Sequence, residues 1–384
     1  MTIAGSPRIL ELADAAAAAR QILPTDVWDF IEGGSGAETT LAENRAFLDR
    51  TWVTPRVLAG ATHAETADDL LGTPVSMPLG IAPMAYQSLV HPDGELALAR
   101  AARSAGTLFV VSTMSSHSVE RIAETGARLW FQLYWLRDRA KTAELIGRAV
   151  AAGCRALVLT LDVPVMGRRL RDMRNAFALP SGLTAAHFTE DSGSGLPGTA
   201  RRSVSGSSAL MVHTAAAIDP SLSWADLGWI RERTRIPLVL KGILSPKDAD
   251  RAAAMGVDAI VVSNHGGRQL DGAPPAASAL PAVVRTVAGR CPVYLDSGIR
   301  SGADMVKALA LGAKGVLLGR PALWGLAMNG EEGAGEVLDL LRSEFEDALL
   351  LAGCSGPVAA GRLTVTTGGA PPRTEETMTE VRRR

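Results

Sequence analysis

Eight short apolar runs punctuate the chain: MPLGIAPM (77–84), TLFVVS (107–112), LWFQLY (129–134), ALVLTLD (156–162), PLVLKG (237–242), AIVVSN (259–264), PVYLDS (292–297) and GVLLGR (315–320). They do not alternate with polar residues as half-exposed strands do. Near-continuous hydrophobicity over this length fits strands buried on both faces, as in a parallel sheet. Helical stretches lie between them, and their starts are visible. Ser245-Pro246-Lys247-Asp248 offers an N-cap serine, a proline at the first helical position and an acid two residues on. Ser301-Gly302-Ala303-Asp304 and Ser223-Trp224-Ala225-Asp226 read the same way. Helix ends are marked by Gly106, Gly126, Gly153, Gly256 and Gly312, each just ahead of a strand, where a C-terminal cap needs positive φ. Eight strand–helix repeats predict an α/β fold, a (β/α)₈ TIM barrel. An open doubly wound sheet uses the same units, but even spacing favours closure.

One interval is abnormal. The fourth run starts at 156 and the fifth only at 237, and the extra segment, 171–222, is rich in Gly and Ser towards its middle. A long insertion at the C-terminal face of a barrel is expected to be a lid or binding loop. The domain reading is an N-terminal helical segment (1–70) packing on a barrel (71–362), then a flexible polar tail (363–384). Within the first segment, two helical patches flank the glycine turn Gly33-Gly34-Ser35-Gly36, and 334–352 reads as a final amphipathic helix.

Composition narrows the function. In 384 residues, 39 Lys+Arg nearly balance 40 Asp+Glu, for a formal net charge of −1. That balance argues against nucleic-acid or membrane-surface partners. Anion recognition must then come from a few placed arginines. Cys154, Cys291 and Cys354 are scattered without a CxxC, which fits a reducing, cytoplasmic compartment. No apolar stretch approaches the ~20 residues of a spanning helix, and the N-terminus shows no leader pattern.

In a barrel, chemistry gathers at the C-terminal strand ends. There the chain places Pro83, Met84 and Ala85; Ser112 and Met114; Gln132 and Tyr134; Thr160 and Asp162, followed by Arg168 and Arg169; Lys241; and Ser263 with His265 and Arg268. The last two ends are glycine–arginine turns, Asp296-Ser297-Gly298-Ile299-Arg300 and Gly319-Arg320. Loops after strands seven and eight commonly bind phosphate, with glycine N–H groups and bidentate arginine. A buried Lys241 needs a negative partner, whether substrate, cofactor or neighbouring carboxylate. His265 is the only one of six histidines at such a strand end, with Arg268 three residues on, fit to hold a carboxylate beside an imidazole base. Asp162 could pair with that imidazole and raise its basicity. No two histidines have metal-ligand spacing, so no metal site is expected.

Together SNHGGRQLD, GRR after LTLDVP, FQLY, LKG and DSGIRSGADMVKALALGAKGVLLGRP resemble the FMN-dependent 2-hydroxy-acid oxidases and dehydrogenases. The resemblance spans about residues 20–362. It implies FMN as cofactor and a small 2-hydroxy acid and oxygen as reactants. It also implies a homo-oligomer, tetramer or octamer. His265 would take the proton of the substrate α-hydroxyl, supported by Asp162. Arg169 and Arg268 would hold the carboxylate, and Tyr134 would hydrogen-bond the substrate. Lys241 would stabilise the reduced flavin at its N1/O2 edge. Gln132, Thr160 and Ser112 would bond the pyrimidine part, with the Pro83-Met84-Ala85 backbone against the ring. Asp296 and Ser263 would meet the ribityl chain or its surroundings, and Gly298, Arg300, Gly319 and Arg320 would cradle the phosphate. A non-redox FMN-dependent isomerase, a phosphate-binding aldolase and a phosphate sensor on the same barrel are the rival readings.

Three departures from the family pattern bear on substrate. Phe30 stands where many members have Tyr, and Met114 where some have Trp. Ser297 replaces a usual Gly, which is tolerable if its φ is negative. A wall of Phe30, Met114 and Met166, with Met84 nearby, implies an aromatic (S)-2-hydroxy acid, 4-hydroxymandelate foremost. Ala85 resembles the oxidases, which implies peroxide as second product.

Overall fold

Parallel strands close into a barrel in strict chain order: β1 Leu79–Ile81, β2 Leu108–Val111, β3 Arg128–Leu133, β4 Leu157–Thr160, β5 Leu238–Ile243, β6 Ala259–Val262, β7 Val293–Asp296 and β8 Gly315–Leu318. The structure, a computed structural model, describes residues 9–188 and 216–368. Pairing of Leu318 with Ile81 closes β8 on β1, so the fold is the predicted (β/α)₈ barrel. Each apolar run is a strand because both of its faces are covered. On β2, Leu108 and Val110 join the inner cluster, while Phe109 and Val111 pack outward against helices. Trp130 and Tyr294 fill the interior, tilted with ring centroids 6.0 Å apart. A short hairpin, Asp68–Leu70 with Thr73–Val75, adds Leu70 and Val75 to that inner cluster. Its Thr73 hydroxyl accepts the Trp130 indole N–H at 3.3 Å.

The capping signals mostly behave as their chemistry requires. Ser245 and Ser301 accept the N–H of Asp248 and Asp304. The helix expected at Ser223 instead begins at Asp226, because the Asp226 carboxylate reaches back to both the N–H and hydroxyl of Ser223, each at 2.7 Å. Gly106, Gly126, Gly153, Gly256 and Gly312 all have positive φ.

The flanking segments differ from expectation in three places. The N-terminal segment holds three helices, Leu12–Ile22, Thr25–Glu32 and Thr39–Asp49, rather than two. The expected 334–352 helix is the second half of Arg320–Leu351, which breaks at Asn329 and Gly330. Residues Thr364–Thr367, expected in the frayed tail, form a strand antiparallel to Thr51–Thr54. Both are short, β-branched and half-exposed, so each satisfies the other's backbone. Residues 369–384 of the tail lie outside the described residues, as does 189–215 of the expected lid. No helix among the described residues is long and apolar enough to cross a membrane.

The N-terminal helices bring Phe30 to the barrel mouth. The N–H of Ser35 bonds the Gly267 carbonyl and that of Gly36 bonds the Arg168 carbonyl, both at 2.9 Å. Gly267 permits this docking: φ is +75°, and a Cβ there would meet the Leu41 backbone at 2.5 Å.

Candidate active site

A cavity of roughly 180 Å³ opens at the C-terminal mouth. Pro83, Met84, Ala85, Ser112, Met114, Tyr134, Met166, Arg169, Lys241, His265 and Arg268 line it, with Phe30 from the N-terminal segment. Asp296, Gly298, Arg300, Gly319 and Arg320 complete the wall on the β7–β8 side.

His265 opens a tight turn after β6 with φ +59°, its N–H held by the Ser263 hydroxyl at 3.0 Å. Its Nδ1 lies 3.0 Å from Asp162 Oδ1. A carboxylate there requires Nδ1 to carry the proton, which leaves Nε2 as the basic atom. Burial would raise the Asp162 carboxyl, but His265 and Lys241 outweigh it and hold the group below its ordinary value. Gly242 makes room for this acid: φ is +110°, and a Cβ there would meet the Asp162 side chain at 2.7 Å. The expected His–Asp pair is therefore formed from the turns after β4 and β6 across a half-buried contact.

Lys241 finds its negative partner in Asp296, Nζ to Oδ2 at 2.6 Å. Burial alone would lower the ammonium, yet Asp296 and Asp162 keep it raised. Ser263 accepts from Lys241 Nζ at 2.9 Å as well as from the His265 N–H. It stands behind the cavity wall and fixes two site residues at once. Gln132 and Thr160 likewise lie outside the lining residues. Gln132 donates to the Thr160 hydroxyl at 3.0 Å and accepts the Thr113 N–H at 3.0 Å.

Four guanidiniums face this cavity, that of Arg169 buried and those of Arg268, Arg300 and Arg320 half-buried. The Arg169 and Arg268 groups lie 6.0 and 5.4 Å from the Phe30 ring, which itself stacks on Phe177 at 4.6 Å. Arg268 spends donors on the carbonyls of Ile31 and Gly33. Among the described residues the one acid paired with Arg169 is Asp172 at 4.0 Å, and its buried Nε has no hydrogen-bond partner there. Burial pushes Arg169 down, and burial with the charges of Arg169 and Arg320 pushes Arg268 well down. Arg300 stacks 4.8 Å over Trp324 and is lowered to about 10 by burial and Arg320. Arg320 donates to the carbonyls of Ile31, Glu32, Gly33 and Gly266, and Glu32 stands 3.9 Å away. So much half-buried positive charge with so few carboxylates is a site for anions. Two places are offered, one beside His265 and one at the Gly298 and Gly319 turns. Space beside Gly319 is open, since a Cβ there would meet only Met84 Sδ at 3.9 Å.

Sequence reasoning missed two features. Ser297 has φ +81°, not the negative value that would make a serine easy there. Its hydroxyl compensates, donating to Asp296 at 2.9 Å and accepting the Gly266 N–H at 3.0 Å. Tyr86 also lines the cavity, in a turn where neither spacing nor composition singles it out.

These residues fit a flavin mononucleotide: a phosphate place at two glycine–arginine turns, a cation at Lys241 and a backbone shelf at Pro83–Ala85. The pattern of the FMN-dependent dehydrogenases matches residues 19–366. The chain belongs to this family. Its cofactor is FMN. As a member of the FMN-dependent dehydrogenases it is 50% identical to the 4-hydroxymandelate oxidase of Amycolatopsis orientalis, over 94% of this chain and 99% of that one. It is 47% identical to an L-lactate oxidase of Nostoc sp., over 92% and 97% of the two chains. A crystal structure of mandelate oxidase with (S)-4-hydroxymandelic acid superposes with a TM-score of 0.90 at 50% identity, covering 94% and 99%. No cluster of metal-ligating side chains occurs among the described residues.

Proposed function

We propose that this enzyme oxidises an aromatic (S)-2-hydroxy acid, 4-hydroxymandelate foremost, to the 2-oxo acid, with oxygen reduced to hydrogen peroxide. The observation that carries the reading is the His265–Asp162 pair set in the same cavity as Arg169 and Arg268. In this reading the two arginines take the substrate carboxylate, which supplies the close anionic partner that Asp172, 4.0 Å from Arg169, does not. His265 Nε2 removes the α-hydroxyl proton, and Asp162 stabilises the imidazolium that results. Burial, and next the charge of Asp162, push the Tyr134 phenol up to about 12, so it stays a hydrogen-bond donor to the substrate. FMN, when bound between these residues, would supply the acceptor for the hydrogen and electron pair leaving the α-carbon and the route by which those electrons reach oxygen. Lys241 supports negative charge on the ring, with Ser112, Gln132, Thr160, Ser263 and Asp296 around it. Arg300 and Arg320 hold the phosphate between Gly298 and Gly319.

The substrate class rests on the apolar part of the lining, which includes Phe30, Met84, Met114 and Met166. Thioether–aromatic contacts are worth about 0.3–1.5 kcal/mol each. A short acid leaves that surface unfilled. The name of the A. orientalis relative supports the aryl reading, and that of the lactate oxidase keeps a short acid as the alternative. Turnover of 4-hydroxymandelate with one peroxide formed per oxygen consumed is the expected result. Oxygen uptake without matching peroxide, or reoxidation only by artificial acceptors, contradicts the oxidase assignment. The same reading includes a cytoplasmic homo-oligomer, tetramer or octamer. Three buried free cysteines support the compartment, and the exposed Val57, Leu58, Leu351 and Val358 support association.

A further inference from the structure

Tyr86 is a large residue in a conformation that large residues avoid, with φ 54° and ψ 47°. Such strain persists only where the surroundings over-determine it, and they do here. The Tyr86 N–H bonds the Met114 carbonyl at 3.0 Å, tying the turn after β1 to the turn after β2. The fully buried Glu95 carboxylate staples the same two turns, accepting the Gln87 N–H at 3.1 Å and the Ser116 N–H at 2.9 Å. Gln87 in turn donates to the Met84 carbonyl at 3.3 Å.

This framework buries a phenol, 2% exposed, in the wall of a cavity that Met84, Leu89, Val90 and Met114 also line. Among the described residues the hydroxyl has one partner, Met114 Sδ at 3.9 Å. A thioether is a weak acceptor, so a buried O–H is left far short of its capacity. Burial, reinforced by the neighbouring Tyr134, pushes the phenol well above its ordinary value, so it remains protonated. A packing role alone would be met by phenylalanine without placing a hydroxyl in apolar surroundings.

We propose that Tyr86 determines specificity by hydrogen-bonding a hydroxyl on the aromatic ring of the substrate, selecting 4-hydroxyaryl acids over unsubstituted aryl acids. This rests on the aryl-acid reading above. The ring hydroxyl replaces the thioether as partner and satisfies both buried oxygens together. It does no chemistry, so the α-carbon reacts as before.

Tyr86→Phe keeps the shape and removes only the hydroxyl. The test compares kcat/KM of wild-type and Tyr86→Phe holoenzymes with 4-hydroxymandelate, mandelate and lactate. The variant is expected to lose about 5- to 10-fold on 4-hydroxymandelate while mandelate stays within about twofold, as one hydrogen bond allows. A merely structural residue would lower both aryl acids alike. Equal losses, or an unchanged ratio, overturn the role of Tyr86 while leaving the aryl reading standing if both aryl acids still exceed lactate. A wild-type preference for lactate over both aryl acids overturns the substrate reading and the Tyr86 role together.

Discussion

The β4–β8 side of the cavity and the β1–β2 side differ in kind. The first carries His265 on Asp162, Lys241 on Asp296, and four arginines short of acids. The second carries Met84, Ala85, Leu89, Val90 and Met114, with Tyr86 as its one phenol. Every 2-hydroxy acid has the same carboxylate, hydroxyl and α-hydrogen, and these are what the charged side answers. Acids differ in the substituent, and the apolar side has no group able to move a proton or bind a carboxylate. Changes on the charged side should therefore slow all substrates alike. Changes on the apolar side should reorder them.

The largest effect belongs to the base. His265→Ala is expected to keep FMN and to lose substrate-driven flavin reduction by roughly 10²–10⁴-fold for every acid. Anaerobic stopped-flow absorbance measures it, and reduction at the wild-type rate would remove His265 from the mechanism. Next comes a test of what anchors the apolar side. His187 receives the Val119 N–H at 3.0 Å and bonds the Thr113 carbonyl at 2.9 Å, one residue before Met114. Burial pushes its imidazole down to about 4. The unfolded chain thus binds the extra proton first, at about 6.5, so stability falls as pH drops through 6.5 towards 4. The loss by pH 4 is roughly 3 kcal/mol. Denaturant melts of wild type and His187→Gln across that window should show the variant with a flatter slope.

A smaller, uniform effect is expected from Arg169→Met. One charge-assisted pairing to the carboxylate is lost, raising KM about 10- to 100-fold for aryl and short acids together. A rise confined to one class would break the division between the two sides. The smallest effect is from Met114→Leu, a volume-conserving change. It should lower kcat/KM of mandelate relative to lactate by about 2- to 5-fold through loss of a thioether–ring contact. An unchanged ratio would reduce Met114 to core filler.

The charged side was legible in sequence because strand ends announce themselves. A hydrophobic run terminated by Lys241, or by Ser263-Asn264-His265, fixes which end of the barrel each side chain occupies. The His265–Asp162 and Lys241–Asp296 contacts follow from closing the strands into a barrel, each joining strands one apart, β4 with β6 and β5 with β7. The apolar side was harder. Phe30 reaches the mouth only through docking of a separate helical segment, and its stack on Phe177 joins residues far apart in the chain. Tyr86 depends on a left-handed backbone that no local residue preference requires. Ser297 shows the same blindness, with a positive φ sustained by two side-chain hydrogen bonds rather than by glycine. The strand at Thr364–Thr367 was invisible for a related reason, since its partner Thr51–Thr54 lies at the other end of the chain.

The central claim, that one side of the cavity performs the oxidation and the other selects an aryl acid, is tested most directly without oxygen. Yellow holoenzyme is mixed anaerobically with 4-hydroxymandelate, mandelate, lactate or glycolate, and bleaching of the flavin is followed over a range of concentrations. The account predicts bleaching by 2-hydroxy acids, with the second-order rate constant largest for 4-hydroxymandelate and smallest for glycolate. No bleaching by any acid, or lactate or glycolate matching the aryl acids, would contradict it.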